Sequence, residues 1–85
     1  MTYDVHLSKT ALNYLKKIPK KAAKQIIDKI ESLTHIAHPV GSIKLQGTEF
    51  YRIRIGDYRV IYEVDNSILK ILVIKVGHRK DVYNF

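Results

Sequence analysis

The sequence predicts an α+β fold, a helical pair packed on one face of a mainly antiparallel sheet of three to four strands. Three observations point there. Apolar residues recur at three- and four-residue steps between residues 8 and 38, in two runs separated by Pro19. Beyond residue 50, three segments alternate apolar and polar residues, joined by Gly56-Asp57 and by Asp65-Asn66-Ser67. A shorter alternating stretch, residues 3–7, precedes the helices.

In that opening strand Tyr3, Val5 and Leu7 take one side and Asp4 and His6 the other. Ser8 is placed to cap a helix running to about Lys17, with Ala11, Leu12, Leu15 and Ile18 as its stripe. Pro19 stops it and opens the next. Ala23, Ile26, Ile27, Ile30, Leu33 and Ala37 form the second stripe, which Pro39 ends. The short joint makes an αα-hairpin, and helices this short need a surface to pack on. Residues 38–42 read as a loop, and Ile43-Lys44-Leu45 as either a short strand or an extended arm. The meander follows at 50–55, 58–64 and 68–76. The order is βααβββ, and residues 1–85 read as one domain, with no repeat, linker or low-complexity segment.

Composition narrows the function. There are 15 Lys and Arg against 8 Asp and Glu, a formal charge of +7, and no cysteine. Disulfide and thiolate-metal frameworks are excluded, and no signal peptide or membrane span is visible, which fits a cytoplasmic protein. A small domain this basic expects a polyanion, an acidic protein, or both. The cations are also sorted. All four arginines, Arg52, Arg54, Arg59 and Arg79, follow residue 50, whereas eight of the eleven lysines precede it. Lysine suits solvated faces, and the planar guanidinium grips phosphate. Lys16, Lys17, Lys20, Lys21 and Lys24 read as such a solvated face. His35 and His38 have two-ligand spacing but no evident third ligand, so they read as helix-end solvent positions and His6 as an exposed strand residue.

Register can be argued from the turns. With Gly56-Asp57 as a two-residue loop, Ile55 faces Tyr58, Arg54 faces Arg59, Ile53 faces Val60 and Tyr51 faces Tyr62. Tyr51, Ile53, Ile55, Tyr58, Val60 and Tyr62 then receive the helices, and Arg52, Arg54 and Arg59 share the opposite face. Like charges directly across a strand pair are destabilising, and a bound anion relieves them. With Asn66-Ser67 as the second loop, Glu63 faces Lys70, and Leu69, Ile71 and Val73 face the helices. Ile61, Leu72, Ile74 and Val76 then join the arginine face, either as a partner patch or beneath the tail or the 40–49 loop. His78 and Tyr83 follow the last strand as candidate proton carriers.

The blocks Tyr51-Arg52-Ile53-Arg54-Ile55, Gly56-Asp57-Tyr58-Arg59-Val60-Ile61-Tyr62 and Val76-Gly77-His78-Arg79-Lys80-Asp81-Val82-Tyr83 resemble the RelE/ParE toxin superfamily, on its RelE side. The resemblance implies a toxin of a type II toxin–antitoxin pair that cuts mRNA in the ribosomal A site, with no metal or nucleotide cofactor. It implies Arg59 and Arg79 as transition-state arginines, Tyr83 as the C-terminal tyrosine, and His78 as a proton carrier. Arg52 and Arg54 would bind RNA, with Lys44 as a further contact. The implied partners are the ribosome, mRNA and a cognate antitoxin laying an acidic or amphipathic segment over the basic sheet in a hetero-oligomer, with no membrane. The sequence departs from some members in carrying arginines where a lysine base stands, and in stopping soon after Tyr83. Two other classes stay open: a non-enzymatic inhibitor of DNA gyrase, ParE-like, and a decayed RNA- or protein-binding member.

Overall fold

The computed structural model describes residues 2–81. Strand β1 (Asp4–Leu7) leads into α1 (Lys9–Lys17) and α2 (Lys20–Ser32), followed by β2 (Ile43–Lys44), β3 (Phe50–Ile55), β4 (Tyr58–Asp65) and β5 (Lys70–His78). The sheet has five strands in the order β1-β5-β4-β3-β2, antiparallel except for β1 on β5. It therefore exceeds the expected three to four. Ile43 and Lys44 pair with Arg52 and Tyr51, and β1 adds to the opposite edge. Among the described residues no helix is long and apolar enough to cross a membrane.

The expected cap is present: Ser8 Oγ accepts from the Ala11 N–H at 3.1 Å. Ala11 and Leu15 of α1 and Ile26 and Ile30 of α2 are buried against Ile53, Val60, Tyr62, Ile71 and Val73. Each such leucine, isoleucine or valine side chain contributes roughly 1.5–3 kcal/mol by leaving water. Tyr62, fully buried, donates its hydroxyl to the Ala37 carbonyl at 2.8 Å and stacks on Tyr51. Burial pushes the Tyr62 phenol above its ordinary pKa, against a lowering bond with Ser42.

Helix α2 ends at Ser32, well before Pro39. Tight bonds from the Leu33, Thr34 and His35 N–H groups replace the helical pattern, and the Thr34 carbonyl accepts from the Tyr3 N–H at 2.8 Å. Leu33 and Ala37 stay buried, so their apolar spacing outlasts the helix. His35 and His38 are exposed beyond it, and the His38 ring lies 4.5 Å from that of Tyr51.

The first hairpin has the expected register throughout. The second does not. Its loop is four residues, 66–69, because Asp65 Oδ1 accepts from both the N–H and the hydroxyl of Ser67, and Leu69 adopts φ 52°. Asp65, not Glu63, therefore faces Lys70, and Glu63 faces Leu72. A bulge then intervenes: Ile61 faces Lys75 while its neighbour Tyr62 faces Val73, leaving Ile74 unmatched. Ser8 holds this bulge. Its N–H donates to the Val73 carbonyl at 2.8 Å and its hydroxyl to the Ile74 carbonyl at 2.6 Å.

Candidate functional site

Arg54 and Arg59 are direct cross-strand partners, and Arg52 lies two residues along the same side of β3. The bulge decides what β5 adds. In a straight strand Ile74, Val76 and His78 would share the arginine side. The extra residue reverses the alternation, so Val76 faces Val60 and enters the core at 2 % exposure. Gly77 faces Arg59. The Arg79 N–H continues the ladder to the Asp57 carbonyl at 2.8 Å, and alternation returns Arg79 to the arginine side.

Arg59 is buried, at 8 % exposure. Its Nη1 donates to the Gly56 and Tyr58 carbonyls, both at 2.9 Å. Those bonds fix the guanidinium plane against the turn and use one nitrogen of a fork that also carries Nε and Nη2. Arg79 Nε lies 3.9 Å from Asp57 Oδ1, an exposed pair that contributes little stability. Arg59 and Arg79 are thus tied to one two-residue turn, where Gly56 takes φ 58°. Arg54 is exposed, and Arg52 is half-buried beside Ile61, which is fully buried between Arg52 and Lys75. Leu72 and Ile74 are half-buried, so the expected open apolar patch is small.

Two expected members stand apart. His78 faces Tyr58, ring to ring at 6.0 Å, on the side that receives the helices. Lys44 pairs with Tyr51 and shares its side of the sheet. Tyr83 lies outside the described residues. Among the described residues no group of three or more His, Asp or Glu is placed to hold a metal ion. Gly77 lies inside β5, past the expected end of the last strand at residue 76, and sequence reasoning missed the serine-held bulge that aligns it with Arg59.

This arrangement concentrates fixed positive charge where an anion can be held without a metal. Comparisons with known proteins give it a family. Residues 5–83 match the family model described as ParE toxin of type II toxin-antitoxin system, parDE. A RelE toxin of Methanocaldococcus jannaschii is 34 % identical, over 98 % of this chain and 97 % of its own. A RelE-like toxin protein of Escherichia coli is 33 % identical, over 99 % and 93 %. The RelE–RelB complex of Pyrococcus horikoshii contains a chain that superposes with a TM-score of 0.84 at 33 % identity, covering 96 % of this chain and 100 % of that one. The chain belongs to the RelE/ParE superfamily of type II toxin–antitoxin toxins, and is a RelE-like member of it.

Proposed function

We propose that this toxin is a ribosome-dependent, metal-independent mRNA endoribonuclease. The observation that carries the reading is the attachment of Arg59 and Arg79 to one turn, on the face that also bears Arg52 and Arg54. In the reaction the ribose 2′-oxygen bonds to the adjacent phosphorus, the bond from phosphorus to the 5′-oxygen breaks, and a cyclic phosphate and a 5′-hydroxyl result. One proton leaves the 2′-hydroxyl and one reaches the departing oxygen. Arg59 and Arg79 stabilise the charge that builds on the phosphorane, and the anchoring of the Arg59 guanidinium spares reorganisation at that moment. Arg52 and Arg54 align the strand, with Lys44 as an outlying RNA contact. Tyr83 is the proton carrier of this reading. General acid–base help adds roughly 10²–10⁴-fold, and the ribosome supplies proximity. RNA is required because DNA lacks the attacking hydroxyl.

The chain is neutralised in this reading by an antitoxin whose acidic or amphipathic segment covers the basic sheet. The RelB partner of the P. horikoshii relative supports that partnership. Inducing the chain in cells and mapping mRNA 5′ ends tests the activity. Arg59→Ala and Arg79→Ala are each expected to lower cleavage by about 10²–10³-fold with the fold intact. Unchanged cleavage in either variant overturns the assignment of that arginine. The match to a ParE model favours one second reading, inhibition of DNA gyrase without catalysis. Loss of supercoiling activity with mRNA left whole would establish it.

A further inference from the structure

Strand β1 stops at Leu7, so beyond Val73 the outer edge of β5 has no strand neighbour there and α1 lies along it instead. Helix α1 meets the sheet with two distinct faces. Ala11 and Leu15 are buried in the core. Thr10, Asn13, Tyr14 and Lys17, at helical spacing i, i+3, i+4 and i+7, line a cleft of about 370 Å³ whose other wall is the end of β5, with Gly77, His78 and Asp81. Of that face Tyr14 also packs against the core, while Thr10, Asn13 and Lys17 are exposed.

The cleft's chemistry is that of a nucleotide. Tyr14 and His78 both approach Tyr58, at 6.4 and 6.0 Å between ring centres, which makes an aromatic wall. The Lys80 N–H donates to His78 Nδ1 at 3.3 Å, which leaves Nε2 as the ring's donor. The Asn13 amide and the Asp81 carboxylate supply hydrogen-bonding groups for a base edge, and Lys17 supplies a cation for a phosphate. The volume is within the range of small-molecule sites. Arg79 is the next residue after His78, so the arginine face and this cleft lie on the two sides of the same strand end.

We propose that the cleft between α1 and β5 binds one nucleotide of the single-stranded RNA whose phosphate the arginines hold, an inference that rests on the nuclease reading. His78 and Tyr14 are then base-contacting residues on the reverse side of β5. The test is a titration of the isotope-labelled full chain with hexaadenylate carrying 2′-deoxyriboses, which cannot be cut. The expected result is that backbone and side-chain NMR signals of Asn13, Tyr14, Gly77 and His78 shift on binding. Lys17→Glu, an exposed change that leaves the core untouched, weakens affinity at least tenfold. Cleft signals that stay still, whatever those of the arginine face do, overturn the proposal, as does undiminished affinity in Lys17→Glu. Failure of the nuclease reading appears separately, as uncut mRNA in the cellular assay from a chain whose cleft still takes the oligonucleotide.

Discussion

The β3–β4 hairpin closes through two residues and pairs one for one from Ile55 and Tyr58 out to Phe50 and Glu63, whereas the β4–β5 hairpin closes through four and slips at Ile61/Tyr62. Both join strands of similar alternating pattern. The first has a turn whose chemistry admits one solution, because Gly56 supplies the positive φ a tight turn needs. The second has Asp65, Asn66 and Ser67, which stabilise a longer loop through the Asp65 side chain. Turn chemistry therefore set register in one place, and contacts from a distant element, Ser8, hold it in the other.

The sharpest way to break this contrast is a charge at Val76. Because the bulge turns Val76 into the core, Val76→Asp should cost several kcal/mol and abolish cooperative unfolding at room temperature. Leu72→Asp, at a half-buried position on the arginine side, should cost far less. Equal tolerance at both sites, read by urea titration, would mean that β5 runs straight.

Ser8→Ala removes the helix cap and the hydroxyl bond to the Ile74 carbonyl together, with an expected loss of about 1–2 kcal/mol in the same titration. Amide exchange should rise first around Val73–Lys75 and leave the first hairpin protected. Uniform exchange across both hairpins would show that the serine supports only the helix.

The turns themselves should respond with opposite sign. Gly56→Val forces a branched residue to positive φ and should destabilise by roughly 1–2 kcal/mol, whereas Leu69→Asn replaces a leucine already held there and should gain up to about 1 kcal/mol. Acid should separate the hairpins most gently. The hydrogen bonds from Ser67 hold the Asp65 carboxyl below its ordinary pKa. A depressed folded-state pKa gives stability that is present above the unfolded value and lost as pH falls through the folded one. Below about pH 4 the Ser67 amide signal should lose its protection while the amides paired between β3 and β4 keep theirs. Protection unchanged at pH 2 would remove the Asp65 side chain from the second turn.

Periodicity alone made the helices, the core face and the first hairpin legible, including the Arg54–Arg59 pairing, because these follow from local geometry repeated every two or 3.6 residues. The arginine blocks also carried the family, which the comparisons bear out. The end of α2 was not legible: Leu33 and Ala37 keep the helical apolar spacing although the chain there has already turned. Nor was the partition of the last segment. Whether His78 or Arg79 accompanies Arg59 depends on the single extra residue at Ile74, and alternation read along a strand has no means of registering an insertion in its pairing.

The amino-acid sequence by itself determined which side chains are available and that three arginines share a face of the first hairpin. Tertiary structure alone decided that Arg79 reaches the same turn and that His78 looks toward α1. The physical reason is that backbone carbonyls must find donors. The bulge at Ile74 exposes one, Ser8 at the start of α1 satisfies it, and that long-range bond helps fix the parity of everything downstream.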